Sequence, residues 1–161
     1  MNRKQFIGLV VSLAVTSLAA AVGSRASMGA PEFYASLVRP DWAPPSWLFG
    51  PAWTILYALM AVAAWLVWRE RGVQGARVPL GLYAAQLVLN ALWSWLFFAW
   101  RLGGLAQVEV ITLLVLIAAT LVAFWRVKPL AGAFLLPYLL WVAYAAALTV
   151  SIVGMNPGAF S

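Results

Sequence analysis

The sequence predicts an all-α integral membrane protein, a bundle of five transmembrane helices, on three observations. Of its 161 residues 65% are hydrophobic and 9% are charged, and mean hydropathy is +0.94, far from the averages of soluble domains. Apolar runs occur at about 5–23, 47–68, 78–100, 105–125 and 130–153, each near the ~20 residues that span the hydrocarbon core of a bilayer. The charges fall singly or in short groups between those runs, as signals of topology.

The first run follows Arg3 and Lys4, and Ala19-Ala20-Ala21 has the look of a signal-peptide cleavage region. Its length of about 19 residues favours a helix kept in the bilayer. The 69–77, 101–104 and 126–129 connections are short, so successive spans are antiparallel neighbours. Only the loop 24–46 has length to spare. Arg3, Lys4, Arg69, Arg71, Arg77, Arg126 and Lys128 fall on one side of the bundle, and Arg25, Arg39 and Arg101 on the other. The positive-inside rule then places the N-terminus in the cytoplasm and the long loop and C-terminus outside. Pro79 and Pro129 sit at helix starts, where the missing N–H costs little. Pro51 and Pro137 lie within apolar runs, and each is expected to kink its helix, either to shape an internal site or only to improve packing.

The sequence contains neither Cys nor His, which excludes thiolate nucleophiles, disulfides and imidazole ligands to metal or haem. No metal site, catalytic residue or nucleic-acid surface is expected, and no cofactor is required. Ten Trp are present. Trp47, Trp65, Trp68, Trp95, Trp100 and Trp125 fall near span ends and suit interfacial belts. Trp42 is in the long loop, and Trp53, Trp93 and Trp141 lie well inside spans. At 1.5 Å per residue Trp53 and Trp93 share a level roughly 10 Å below the loop-side ends of their helices, with Trp141 deeper at roughly 18 Å.

Tyr83, Gln86, Asn90, Trp93 and Phe97 form one face of the third span. The two carboxamides, four residues apart, lie where no bulk water compensates them and must face protein, a wet cavity or a ligand. Trp53, Tyr57 and Met60 make a similar stripe on the second span, and Tyr138, Trp141 and Ala145 on the fifth. Such stripes serve helix packing or a ligand wall. A wall of this kind suits a flat, largely apolar molecule held by π faces and oriented by a few hydrogen bonds. Glu109 begins the fourth span and is expected to reach the loop-side interface as a solvated end residue. Small residues, Gly81 and Ala85 on the third span and Ser12, Thr16, Ala19 and Gly23 on the first, permit close helix approach.

The segment Trp42-Ala43-Pro44-Pro45-Ser46-Trp47-Leu48-Phe49, continuing to Trp53-Thr54-Ile55-Leu56-Tyr57, resembles the signature of the translocator protein family, also known as tryptophan-rich sensory proteins or peripheral benzodiazepine receptors. Tyr83 to Phe98, Pro137-Tyr138-Leu139-Leu140-Trp141 and the loop residues Glu32-Phe33-Tyr34 and Arg39-Pro40 resemble other parts of the same family. The likeness covers nearly the whole chain as one domain, 1–161. It implies five helices around a pocket open to the first-loop side, that loop as a lid, and a homodimer. It also implies binding of porphyrins such as protoporphyrin IX, and of sterols or benzodiazepine-type ligands. By the same resemblance Tyr34, Trp42, Trp53, Gln86, Asn90, Trp93, Tyr138, Trp141 and Ala145 are the ligand-binding candidates, joined by Tyr57 from the second-span stripe.

The sequence departs from the family's cholesterol-recognition pattern, because Leu148 to Ile152 holds neither Tyr nor a basic residue. Arg39 and Asp41 are expected to pair locally or to meet porphyrin propionates. Three functions follow: a receptor or sensor of tetrapyrroles, a transporter of porphyrin or other hydrophobic molecules, and a light- and oxygen-dependent porphyrin-degrading enzyme. The absence of paired inverted repeats counts against active transport. No nucleophile or acid/base pair supports catalysis.

Overall fold

A computed structural model describes residues 2–160; Met1 and Ser161, the ends of the expected single domain, lie outside the described residues. The chain forms α1 (Arg3–Ala26), α2 (Ala30–Ser36), α3 (Phe49–Gly75), α4 (Arg77–Ser94), α5 (Gly103–Val127) and α6 (Pro129–Met155), with no strand among the described residues. A 3-10 turn, Ser46–Leu48, leads into α3, and a π-helical turn, Trp95–Ala99, continues α4. Five of these helices, all but α2, are long and apolar enough to cross a membrane.

The helices outrun the apolar spans because hydropathy marks where lipid ends, not where helical hydrogen bonding ends. Asn2 caps α1 by accepting from the Gln5 N–H at 2.9 Å while Gln5 Oε1 accepts from the Asn2 N–H at 3.3 Å, a reciprocal box. At its far end α3 holds Gly72 at φ 66, ψ −179, a conformation that only glycine adopts without strain. The helix is redirected there, just past Arg69 and Arg71. Pro51 falls in the first turn of α3, where its missing N–H breaks no interior bond. The expected kink at Pro51 is therefore not formed, whereas Pro137 does lie in the interior of α6.

α5 packs along α6 and α4, while α1 packs on α3 and α4. Apolar burial in the middle is dominated by Met60, Val67, Ile117, Phe124, Leu135 and Tyr138. Glycine allows close helix approach at several points. A Cβ on Gly132 would stand 2.9 Å from the Trp125 Cα, so α5 and α6 meet closely at their shared turn. At Gly23 of α1 a Cβ would make ordinary contact with Ala91 of α4, 3.6 Å from its Cα. The first-span stripe of small residues thus serves packing within the chain: Thr16 and Gly23 are buried, and Ser12 donates to the Ala61 carbonyl at 2.6 Å.

The long loop 24–46 is not irregular throughout, since α2 occupies its middle. Pro31 stands in the first turn of this short helix. Phe33, Tyr34 and Leu37 bury their side chains in a second apolar cluster with Phe97, Leu148 and Ile152, capping the bundle at that end.

Candidate functional site

A cavity of about 690 Å³ lies beneath this cap, between α1, α3, α4 and α6. That volume falls within the ~300–1,000 Å³ of sites for small molecules and cofactors. Of the residues singled out by sequence, Tyr34, Trp53, Tyr57, Asn90, Trp93, Trp141 and Ala145 line it. Gln86, Tyr138 and Trp42 do not line it.

Gln86 and Tyr138 stand behind the wall as its support. Tyr57 donates to Asn90 Oδ1, Asn90 Nδ2 donates to the Tyr138 hydroxyl at 2.8 Å, and that hydroxyl donates to Gln86 Oε1 at 2.7 Å. One continuous chain of donors and acceptors therefore joins α3, α4 and α6. Tyr138 and Gln86 are each 1% exposed, so the chain is fixed in a setting where any lost partner is costly. The third-span amides that the sequence placed on one face are indeed together, and Asn90 alone presents itself to the cavity. Tyr83, on the same face, pairs its hydroxyl with Thr16 of α1 at 2.7 Å.

The aromatic wall is built from several layers. Trp93 stacks on Phe97 with ring centroids 5.0 Å apart and planes at 15°. Phe97 and Phe98 belong to the π-helical turn, which shifts the phase of α4 and sends both rings to the cavity. Trp53 packs against Tyr57 at 5.5 Å and Tyr138 at 6.2 Å, and Trp141 against Phe49 at 6.1 Å. The indole N–H groups of Trp93 and Trp141 are both buried without a hydrogen-bond partner.

Lid closure rests on contacts that the sequence reading did not single out. The Asn156 side chain acts as a surrogate peptide, accepting from the Val38 N–H and donating to the Val38 carbonyl, both at 2.8 Å. It also donates to the Ile152 carbonyl at 2.8 Å, capping α6. Tyr34 donates to the Pro44 carbonyl at 2.9 Å and packs edge-on against Phe49. Burial raises the Tyr34 phenol above its ordinary pKa, with the Arg39 guanidinium opposing, so the hydroxyl remains a neutral donor. Trp42, half-exposed on the lid, packs on Tyr144, whose hydroxyl donates to the Trp42 carbonyl at 2.8 Å.

Two charged groups depart from expectation. Arg39 does not pair with Asp41; its guanidinium lies 4.8 Å from the centroid of the Tyr34 ring, and the one ion pair among the described residues is Lys128–Glu70, at 3.0 Å. Glu109 is not a solvated end residue: it is 8% exposed, and neither carboxyl oxygen has a hydrogen-bond partner. It lies in the second turn of α5 on the side that packs inward, a phase that largely apolar neighbours around the helix left unmarked in the sequence. No group of three or more His, Cys, Asp or Glu able to hold a metal occurs among the described residues.

Fold and site together define a class, the multi-pass membrane proteins that enclose a small-molecule-sized aromatic cavity within one helical bundle under a loop lid. The chain belongs to the TspO/MBR family, whose model matches residues 8–155. It is 43% identical to the human translocator protein over 145 residues, covering 88% of this chain and 86% of the relative. It is 37% identical over 162 residues to the tryptophan-rich protein TspO of Chlorobaculum tepidum, covering 96% and 99%. A tryptophan-rich sensory protein of Cereibacter sphaeroides is 38% identical over 141 residues, covering 85% and 87%.

Proposed function

We propose that the chain is a membrane receptor or sensor that binds a tetrapyrrole of the protoporphyrin type in the aromatic cavity. The observation that carries this reading is the aromatic wall of the cavity, where Trp53, Tyr57, Trp93, Phe97 and Trp141 line the space together with the amide of Asn90. A flat π system would stack on such walls, and a polar group at its edge would meet the Asn90 amide. The name of the sensory relative supports the receptor part, and the translocator name of others keeps transport of a hydrophobic molecule as the second reading. The excess of Lys and Arg at the end holding Arg3, Arg69, Arg77 and Lys128 supports a cytoplasmic N-terminus. Exposed Gly81 and Ala85 on α4 offer a close-approach face for a second copy in the bilayer.

The test is titration of the purified protein with protoporphyrin IX, haem and cholesterol, read by tryptophan quenching. Saturable quenching by the porphyrins, weakened in Asn90→Ala, is expected; identical quenching of both proteins by every ligand rejects the pocket. Flux of porphyrin into sealed proteoliposomes decides between receptor and transporter.

A further inference from the structure

The cavity wall is uneven in a way that the binding role does not require. Residues lent to it by α4, its π-helical turn and α6 are all buried or half-buried. On α1 and α3, by contrast, the lining residues Ser17, Ala21 and Ser24 and their counterparts Gly50, Thr54 and Ala58 are exposed, as are Leu13 one turn deeper and Pro31 and Ser46 at the loop end. Spacings of four and three on α1, and of four and four on α3, put each set on one helical face. A residue that both lines a cavity and is exposed marks its mouth.

The two helices are tied to each other only toward the far end. There Ser12 donates to the Ala61 carbonyl at 2.6 Å, the Trp65 indole donates to the Gln5 carbonyl at 2.9 Å, and Gly8 sits against the Trp68 ring. Toward the first loop no side-chain hydrogen bond joins α1 to α3 among the described residues. The opening runs about 12 Å along α3, within segments that span the bilayer. Two of the three hydroxyls on its helical edges are spent locally: Ser24 donates to the Ala21 carbonyl and Thr54 to the Gly50 carbonyl, both at 2.9 Å. The edges are therefore mostly small and largely apolar in effect, with Leu13 the large exposed side chain at the deep end of the α1 edge. Over the top, the Asn156–Val38 clasp and the Tyr34–Pro44 bond tie the lid down.

We propose that the slot between α1 and α3 is the ligand's entrance, admitting a flat apolar solute laterally from the bilayer leaflet on the first-loop side. The lid then stays shut during entry. This deepens the reading of the cavity as a ligand site and rests on it. Partition into lipid concentrates such a solute where the slot opens, and a slot edged mainly by Gly, Ala and small hydroxyl residues, two of them internally bonded, costs little to wet with hydrocarbon.

The test uses two full-length variants in phospholipid vesicles. Gly50→Phe/Ala58→Phe narrows the slot, and a side chain begun at Gly50 meets nothing within 4 Å; Asn156→Ala loosens the lid. Protoporphyrin IX preloaded in the membrane is the probe, followed by stopped-flow tryptophan quenching. Association and dissociation both slow by about tenfold in the Phe pair, the signature of a gate, and association is unchanged in Asn156→Ala. Unchanged association in the Phe pair overturns the proposal, as does faster entry in Asn156→Ala, which would route the ligand under the lid. A ligand-free measurement separates this from failure of the porphyrin reading. With phospholipids brominated at mid-chain, the Trp53 share of quenching, obtained by subtracting Trp53→Phe, falls when the slot carries the Phe pair. Equal Trp53 quenching with and without the Phe pair removes the slot; absence of porphyrin binding together with a fall in quenching removes only the porphyrin.

Discussion

Tyr138→Phe removes a single oxygen from the point where three helices are joined. The hydroxyl accepts from Asn90 Nδ2 at 2.8 Å and donates to Gln86 Oε1 at 2.7 Å, in a residue 1% exposed. The phenylalanine ring keeps the packing with Trp53, so the perturbation is confined to hydrogen bonding. Two bonds are lost. Hydrogen bonds between membrane helices average about 0.6 kcal/mol with a maximum near 1.7, and a buried group left without a partner costs about 1–3 kcal/mol. Gln86 Nε2 already lacks a partner, so the amide has no second bond to hold it once its carbonyl is released. A destabilisation of about 1–3 kcal/mol is expected, measured by equilibrium unfolding in mixed micelles of increasing SDS fraction. Adding Asn90→Leu to Tyr138→Phe costs less than the two single losses combined, because one bond is shared. A Tyr138→Phe protein within about 0.3 kcal/mol of wild type, or strict additivity in the double variant, refutes the chain as a structural joint.

The same unfolding assay reads three further changes. Glu109→Gln replaces a buried, unpartnered carboxyl by an isosteric amide that is cheaper to bury, so stability holds or rises by about 1 kcal/mol, and a clear loss would reveal a partner for the acid. Gly132→Ala drives a methyl into the Trp125 backbone and costs about 1–3 kcal/mol. Gly72→Ala forces a side chain into a left-handed conformation at φ 66 and costs about 1 kcal/mol, with no effect on ligand affinity because the position lies at the far end of α3.

The five spans were legible because a bilayer imposes a length on every crossing helix, and length is a one-dimensional property. Other features depended on what the sequence does not order in one dimension. α2 holds seven residues, too few for a helical period to show. Pro51 was read against the apolar run beginning at Trp47, but the α-helix starts at Phe49, which moves the proline from an interior to a first turn. Periodicity placed Gln86 and Asn90 on a common face of α4 and could not say that Tyr138 would come between them. The Asn156 clasp joins residues 118 apart in sequence, and nothing local at either residue marks it. Glu109 shows the same gap from the other side, since facing protein or interface depends on the rotation of α5 among its neighbours.

The most direct test of the cavity as the ligand site is to fill it. Ala145 lines the cavity on α6, half-buried and on the same face as Trp141. Ala145→Trp puts an indole into the space between the aromatic walls without touching the polar chain behind them. Protoporphyrin IX titration, followed by tryptophan quenching with circular dichroism as the check on folding, is predicted to show at least about a tenfold loss of affinity in a variant that keeps its helical content. Unaltered affinity in that folded variant would contradict the account, because the porphyrin would then be bound somewhere other than beneath the lid.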